Sequence, residues 1–489
     1  MLHLTSVDVT GENIETLVIP VCEDKNIHDD KIISRIVRKA MKLKEFNGEK
    51  DDVVTLYDIK GIKAERVVLR GLGKLEKLDA EGLRSLSGIA VKACIKKNLS
   101  NLWIAVPDAH KTGLPLPLLL EALLEGAFLG NHLFDKYKEE KKRKPLKRIN
   151  FIVKPEVARK FKHMTSSVVM VCEGTVMARD WISMPSNDKR PEQLKRMIIQ
   201  QAKPAGLKIR VFNEKDLKQR RFGALLAISA GSQSKPNMIV MEYRHPGAKA
   251  TIALVGKGVT FDSGGLNIKT GSSMAGMKAD MSGAAAVAAT LITATKLKKK
   301  LNIIAAIPMV ENMPSGTASR PGDIVKSFSG KTIEIGNTDA EGRMILIDAI
   351  SYVIKKYKPG VLIDLATLTG ACVVALGEKI AGLFSNDKEL ANKIVAAGEK
   401  TFERCWPMPL PDDYKELLKS NFADINNISG SRWGGAITAA LFLSEFIGDT
   451  RWAHIDVAGP AYIDKENAYC GPGGTGFGVR MLCNLLDSL

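Results

Sequence analysis

The 489-residue sequence predicts an α/β protein of two domains, a smaller N-terminal one and a larger C-terminal one with a central mixed sheet flanked by helices. In the first 150 residues, short β-branched runs alternate with stretches whose apolar residues recur at helical spacing. From about Ser183 onward, longer apolar strands are joined by glycine-rich loops and small-residue helices. Strands that are apolar on both faces are typical of a sheet covered on both sides.

The N-terminal elements follow in order along the chain. Strands are predicted at residues 15–22, 52–57, 66–69, 102–106 and 149–153, and helices at 30–44 and 78–97. A long helical pattern then covers residues 155–181 and ends near Pro185 and Pro191, because proline blocks helix continuation. We therefore expect an N-terminal domain at 1–154, a linking helix at 155–182 and a C-terminal domain at 183–489.

The C-terminal half contains the most strongly apolar strands. They are predicted at residues 251–255, 302–310, 332–335, 361–365 and 452–457, and each is expected in a sheet covered on both sides. No internal repeat interrupts the pattern.

Composition excludes several classes of protein. With 45% hydrophobic and 26% charged residues, the chain has ordinary globular composition, which excludes bulk disorder. The best apolar stretch, residues 281–295, is too short and too rich in Ser and Thr to span a membrane, and no secretion signal is visible. Seven scattered cysteines without a CxxC pair argue against a disulfide framework. We expect a reducing compartment, most simply the cytoplasm.

The formal net charge of +17 invites a nucleic-acid interpretation. Its sharpest local expression is residues 136–148, where eight Lys and Arg face two Glu. No aromatic ladder or zinc knuckle accompanies this run, and charge runs are usually solvated. A solvated loop is the favoured interpretation, and nucleic-acid binding stays an alternative.

The first chemically informative segment is the glycine-rich loop at residues 256–265, which follows an apolar strand where α/β folds place their sites. Its only ionisable residues are Lys257 and Asp262, which alone could be a simple loop salt bridge. Lys269 and Asp280 follow within 18 residues of Asp262, and Ser282 can cap the small-residue helix at 283–297. These additions favour a functional site.

The second segment is residues 336–343, between a strand and an amphipathic helix. Asp339 and Glu341, at i and i+2 in a stretch that we expect to be extended, would project to the same side and reach one cation or a close pair of cations. The alternative is a charge pattern that complements the dipole of the following helix.

The two segments together supply four carboxylates and two lysines on strand-end loops, with no histidine nearby. Carboxylates crowded in a half-buried pocket raise one another's pKa unless cations neutralise them, and two divalent ions would do so. The HExxH motif is absent. His454, which alternates with Asp456 along a predicted strand, is best interpreted as a structural histidine because no nucleophile motif accompanies it.

These motifs resemble the leucine aminopeptidase (cytosol aminopeptidase) family of dinuclear metallopeptidases. The stretch from Asn337 to Arg343 matches the signature of that family, the loop at 256–265 matches its second motif, and the likeness covers roughly residues 178–478. The N-terminal domain resembles the family only loosely.

The resemblance implies a set of site residues. Metal ligands would be Lys257, Asp262, Asp280, Asp339 and Glu341; catalytic residues Lys269 and Arg343; substrate-binding residues Met277, Asn337, Thr367, Leu368 and Gly370. Plain core packing is the alternative for Met277 and Leu368. The cofactors would be two divalent ions per subunit, Zn²⁺ or Mn²⁺ with Mg²⁺ or Co²⁺ also possible, and a bicarbonate-like anion at Arg343.

The family also implies an activity and an assembly. A hydroxide activated by two metals would attack the first peptide carbonyl and release N-terminal amino acids from peptides, with a broad preference for Leu and Met. The partners would be peptide substrates and five further copies of the chain in a homohexamer.

Overall fold

The computed structural model describes residues 1–489, and the chain divides into two compact units. The first unit contains residues 1–173 and 465–472, and the second contains residues 174–464 and 473–489. Both units are built from β-sheets and helices, so the predicted two-domain α/β class is confirmed. The domain limits at 154 and 183 stay a prediction.

The first unit contains a six-stranded sheet in the order β1-β6-β5-β2-β4-β3. All neighbouring strands run parallel except β3, which pairs with β4 in the antiparallel sense. The short apolar runs predicted all of these strands except β1. Their bounds are β1 Leu2–Thr5, β2 Leu17–Val21, β3 Val53–Leu56, β4 Val67–Gly71, β5 Asn101–Ala105 and β6 Arg148–Ile152.

The sequence pattern did not predict the short helix α3 of the first unit, and it also missed the longer helix α4. It packs against α2 at very short range, since a methyl group added at Gly126 would lie 1.9 Å from the main-chain oxygen of Arg84. The predicted helix at 155–181 is instead two helices separated at Phe161. The bounds are α1 Lys31–Ala40, α2 Ala80–Lys96, α3 Ala109–Thr112, α4 Leu116–Gly130, α5 Pro155–Lys160 and α6 Lys162–Ser183, and α6 continues into the second unit.

The second unit is organised around a nine-stranded mixed sheet. Eight strands follow the order β16-β15-β18-β14-β9-β11-β8-β7, and β10 pairs with the end of β11. The strands β18, β14, β9, β11 and β10 run parallel to their neighbours within this group. The bounds are β7 Lys208–Phe212, β8 Asn237–Tyr243, β9 Thr251–Gly256, β10 Gly258–Asp262, β11 Asn302–Asn312, β14 Val361–Ala366, β15 Ala381–Ser385, β16 Cys405–Pro407 and β18 Arg451–Asp456.

Helices cover both faces of this sheet. On one face, Ala253 and Val255 of β9 belong to a buried cluster with α11, α9 and α14. Alternate residues of a strand point to the other face, where α10 contacts β9, β11 and β14 and also contacts α15. The bounds are α7 Pro191–Ala202, α8 Glu214–Gln219, α9 Gly223–Ser229, α10 Ser282–Lys296, α11 Glu341–Tyr357, α12 Gly370–Leu376, α13 Lys388–Thr401, α14 Gly435–Ser444 and α15 Val479–Leu485.

One predicted strand lies in a different place from that expected. The segment at 332–335 forms β13 (Thr332–Glu334) in a separate three-stranded sheet with β12 (Ile324–Lys326) and β17 (Ile425–Asn426). Only Ile333 of β13 is buried, so the expectation that both of its faces are covered was wrong. A further pair, β19 (Tyr462–Ile463) and β20 (Gly473–Gly474), is antiparallel.

The structure bears on three expectations from composition, which concern membrane spans, disulfide bonds and the basic run. None of the helices combines the length and the apolar character that a membrane span requires. All seven cysteines are buried, and none forms a disulfide bond. Residues 136–147 lie outside any helix or strand and are almost all exposed, and Asn131 anchors the buried Leu146 through two main-chain hydrogen bonds.

Candidate metal centre

The first ligand loop begins at Lys257, the residue between β9 and β10. Its main-chain N–H donates to Leu365 of β14, and its carbonyl accepts from Ala284 in the first turn of α10. Glycine is required beside it, because a methyl group added at Gly256 would lie 2.5 Å from the carbonyl oxygen of Gly283. The start of α10 therefore packs directly on the strand that carries Lys257.

Lys257 is buried and contacts two carboxylates. Its Nζ lies 2.6 Å from Oδ1 of Asp280 and 2.7 Å from Oε1 of Glu341, and it donates to the carbonyl of Thr367 at 2.7 Å. Burial lowers the pKa of Lys257, but Asp280, Glu341 and Asp262 outweigh burial and raise that pKa above its usual range. The carboxylates around Lys257 therefore stabilise its protonated form.

Lys269 makes the second bridge between the loops. Its Nζ lies 2.8 Å from Oδ2 of Asp262, at the end of β10, and 2.7 Å from Oδ1 of Asp339. Burial lowers the pKa of Lys269, but the negative charges of Asp262 and Glu341 raise it by more. The net shift of this pKa is therefore upward. Lys269 remains an ammonium group at neutral pH.

Three of the four predicted carboxylates form a compact set. Oxygen atoms of Asp262, Asp280 and Glu341 all lie within 4.8 Å of one another, and all three residues are buried. Burial is the main cause that raises the pKa of Glu341 and of Asp280, and neighbouring carboxylates add to it. Oδ2 of Asp280 is buried without a hydrogen-bond partner, so this oxygen is available to a cation.

Asp339 lies outside that compact set. It belongs to a turn, Glu341 is the first residue of α11, and the Asp339 side chain is 36% exposed. The expectation of an extended stretch was therefore wrong. Asp339 joins the site through Lys269 instead. Ser282 also differs from expectation, since its hydroxyl donates to Ala279 and α10 has no side-chain cap.

A cavity of about 660 Å³ opens onto the carboxylates. Ten of the twelve predicted site residues line it: Lys257, Asp262, Lys269, Met277, Asp280, Asp339, Glu341, Thr367, Leu368 and Gly370. Thr367 also donates from its hydroxyl to Asp280 at 2.7 Å. The cavity therefore joins an acidic, lysine-containing end to an end with apolar and small residues.

Asn337 and Arg343 are the two predicted residues that do not line the cavity. Oδ1 of Asn337 accepts from the main-chain N–H of Asp339 at 2.7 Å and so stabilises the turn. Arg343 is buried, and its Nη1 donates to the carbonyl of Asn427 at 2.7 Å. Burial lowers the pKa of Arg343 to about 10. Its Nε is buried without a partner.

Asn427, which sequence reasoning missed, holds the second ligand loop in place. Its Oδ1 accepts from the main-chain N–H groups of Gly336 (2.8 Å) and Asn337 (3.2 Å), and its Nδ2 donates to the carbonyl of Asn337 at 2.8 Å. It follows β17, whose pairing with β13 places it beside the loop. No local sequence signal connects residue 427 with residue 337.

Asp456 holds the segment that carries Thr367, Leu368 and Gly370. Its Oδ1 accepts from the Leu368 N–H at 3.0 Å, and its Oδ2 accepts from the Thr369 hydroxyl at 2.7 Å. His454, two residues earlier, does not line the cavity. Its Nδ1 lies 2.6 Å from Asp364, and its ring stacks on Trp452 and Phe384.

Together, the mixed α/β sheet and the acidic cavity at the carboxyl ends of its strands fit the class of metal-dependent hydrolases. Family models agree with this class: the catalytic domain of the cytosol aminopeptidase family matches residues 176–483, and the N-terminal domain of that family matches residues 21–141. The chain belongs to the cytosol aminopeptidase family, so it is an enzyme of the hydrolase class.

Relatives cover nearly the whole chain. A probable cytosol aminopeptidase from Geobacter sp. (strain M21) is 41% identical over 94% of this chain and 92% of its own length. One from Chlorobium phaeobacteroides is 40% identical over 96% of both chains. Among solved structures, the bottromycin maturation enzyme BotP in complex with Mn superimposes with a TM-score of 0.86 at 33% identity, over 97% of this chain and 99% of that one.

Proposed function

We propose that this enzyme removes N-terminal amino acids from peptides, with a broad preference for Leu and Met, at the cavity beside Asp262, Asp280 and Glu341. The observation that carries the proposal is the convergence of four carboxylates and two lysines on one cavity of about 660 Å³. Family membership supports a metal-dependent aminopeptidase, and the cavity would hold its metals and its substrate.

We assign two divalent ions to Lys257, Asp262, Asp280, Asp339 and Glu341. Carboxylate oxygens and one amine suit Zn²⁺ or Mn²⁺, and Mg²⁺ or Co²⁺ are compatible. The partnerless Oδ2 of Asp280 fits this assignment. Lys257 can ligate only as a neutral amine, so metal charge would replace the ammonium that now neutralises Asp280 and Glu341. When bound, such ions lower the pKa of a water molecule and polarise a carbonyl group.

Lys269 is assigned to the carbonyl oxygen of the substrate. Its ammonium group is retained because Asp262 and Asp339 surround it, and it lines the cavity. As the carbonyl carbon becomes tetrahedral, negative charge develops on the oxygen, and a donor placed there stabilises that charge by about 3 kcal/mol.

Arg343 is assigned to a bicarbonate-like anion. A buried guanidinium whose Nε has no partner supports this assignment. Arg343 would hold this anion, which would supply acid–base chemistry, because the attacking water must lose a proton and the leaving amine must gain one.

Specificity for the first side chain is assigned to Met277, Asn337, Thr367, Leu368 and Gly370. Four of these line the cavity, whereas Asn337 would act from the turn that it stabilises. An apolar pocket discriminates by about 1–3 kcal/mol per methylene, so a broad preference is expected. The acidic end of the cavity would receive the free α-amino group, which explains attack at the chain end only.

Assembly and location complete the proposal. We propose a homohexamer in the cytoplasm, in keeping with the family and with seven cysteines that form no disulfide bond. Because BotP was solved in complex with Mn, Mn²⁺ is the first ion to test here.

The test is hydrolysis of a leucyl anilide by metal-stripped protein after each ion is added back. Activity should return with at least one divalent ion, and Lys269→Ala and Asp339→Ala should each lower kcat by about 100-fold or more. The exposed Lys300 provides a control, Lys300→Ala, that should retain wild-type activity. Near-normal turnover by either site variant would reject the assignment.

A further inference from the structure

Asn312 is the last residue of β11 and lies at the point where both ligand loops meet. It is 3% exposed, and it pairs with Asp262 in the register of β10 and β11. Its main-chain oxygen accepts from the N–H of Ser263 at 3.0 Å and from the Ser263 hydroxyl at 2.7 Å. The backbone of Asn312 is therefore fixed by the sheet on one side and by the first loop on the other.

The side chain of Asn312 uses both hydrogens of its amide, one for each loop. Nδ2 donates to Oδ1 of Asp262 at 2.8 Å and to the main-chain carbonyl of Thr338 at 3.0 Å. An amide nitrogen has two donors and no more, so this arrangement saturates it. Thr338 directly precedes Asp339 and lies three residues before Glu341.

These bonds determine how the Asp262 carboxylate points. Oδ1 accepts from Asn312 and from the Gly264 N–H at 2.9 Å, which leaves Oδ2 directed at Lys269. A carboxylate held by two donors on one oxygen has little freedom to rotate. A second contact ties the loops: the Thr338 hydroxyl donates to the carbonyl of Gly264 at 2.6 Å.

The first ligand loop packs closely against Asn312 at Gly265. A methyl group added at Gly265 would lie 2.9 Å from Oδ1 of Asn312 and 2.9 Å from Oγ1 of Thr338, and Gly265 has a φ of +67°. The first loop can approach Asn312 this closely only because residue 265 is glycine.

We infer that Asn312 is a positioning residue for the metal centre, which sets the orientation of Asp262 and the distance between the two ligand loops. The inference rests on the proposed function, since it presumes that Asp262, Asp339 and Glu341 bind metal. Asn312 acts through these ligands and lies outside the residues that line the cavity. Groups that orient metal ligands typically contribute 10–100-fold to metal affinity.

The variant Asn312→Ala tests this inference by removing both donors. We expect its affinity for Mn²⁺, measured by titration of the metal-stripped full chain, to fall by about 10–100-fold for at least one ion. At saturating Mn²⁺, kcat should fall more than KM rises, because the side chain of Asn312 donates to Asp262 and Thr338 and to none of the residues assigned to the first side chain. If Asn312→Ala does not fold, Asn312→Ser provides the same comparison with a smaller change in polarity.

A matched control lies on the neighbouring strand. Asn237 of β8 is also buried, pairs with Met309 of β11, and has no hydrogen-bond partner for its side chain. Asn237→Ala should therefore keep wild-type Mn²⁺ affinity. Equal loss in both variants would show a general effect on the sheet and overturn the inference, as would wild-type affinity in Asn312→Ala. Failure of the wild-type protein to bind Mn²⁺ or any other divalent ion would instead overturn the proposed function.

Discussion

Gly342 lies in the first turn of α11, directly against the Lys257 side chain. A methyl group added there would lie 2.6 Å from Cε, 2.9 Å from Cδ and 2.9 Å from Nζ of Lys257. Non-bonded carbon atoms prefer a separation of about 3.5–4.0 Å, so Gly342→Ala requires Lys257 to move by roughly 1 Å. Lys257 cannot move freely, because it is buried and its Nζ contacts Asp280 and Glu341.

The size of the effect follows from this displacement. A misplacement of about 1 Å at a reacting site can cost about 100-fold in rate, and we expect that loss in kcat for Gly342→Ala. Global unfolding does not account for such a loss, because alanine favours a helix over glycine by up to about 1 kcal/mol. The thermal midpoint of the variant should stay within a few degrees of the wild-type value.

The assay compares kcat for a leucyl anilide, Mn²⁺ affinity and thermal midpoint in Gly342→Ala and in a control. Gly316 is suitable for the control, since a methyl group added there would meet no atom within 4 Å. Gly316→Ala should behave as wild type in all three measurements. Wild-type kcat and Mn²⁺ affinity in Gly342→Ala would refute the assignment of Lys257 as a ligand whose position matters.

Three further predictions concern residues that support the site or the core. Asn427→Ala leaves main-chain groups of Gly336 and Asn337 unpaired. The free energy of unfolding in urea should therefore fall by about 2–5 kcal/mol, and kcat should also fall. An unchanged midpoint of urea unfolding would contradict this prediction. Asp456→Ala releases Leu368 and Thr369, so KM for leucyl substrates should rise about 10-fold. Thr367 keeps its own bonds to Lys257 and Asp280, so Mn²⁺ affinity should not change, and a fall in Mn²⁺ affinity would be evidence against this separation. Asp348 has its pKa raised from 3.8 to about 7 by burial. The folded state therefore favours its protonated form, and the stability it contributes is lost as the pH rises from about 4 to about 7. Between about pH 5 and pH 8, the wild type should lose about 3 kcal/mol more than Asp348→Asn, and parallel pH profiles would reject this reasoning.

The C-terminal strands were predicted well because both of their faces are covered. The predicted strand at 251–255 differs from β9 by one residue, since every position from Ile252 to Gly256 is buried and the apolar run ends at the loop. A strand at 332–335 was also predicted, but its assignment to the central sheet was wrong. Its partner, Ile425, lies some ninety residues away, and a local pattern does not identify it.

The helix α4 was missed because a local sequence pattern identifies a buried helix poorly. Its sequence is apolar on nearly all sides, so the alternation of polar and apolar faces that predicts a helix is weak. Its close packing on α2 depends on glycines such as Gly126, which lies against Arg84. The sequence alone does not show which residue of another helix a glycine will contact.

The candidate site was also predicted only in part. The convergence of Lys257, Asp262 and Glu341 could be predicted, because both segments follow strands and glycine-rich loops bring them together. The turn at Asp339 could not be predicted from spacing alone. Asn312 and Asn427 were missed because an amide that hydrogen-bonds to main chain has no charge pattern or motif.

Each of the two units contains buried cysteines, and the alkylation of their thiols can report how often that unit opens. Burial raises the pKa of Cys22 and Cys94 to about 11 in the first unit and that of Cys372 and Cys483 to about 12 in the second. At neutral pH these thiols carry almost no thiolate, the form that reacts with alkylating agents. Alkylation therefore requires the surrounding unit to open, and mass-mapped labelling rates would measure how often each half of the enzyme does so.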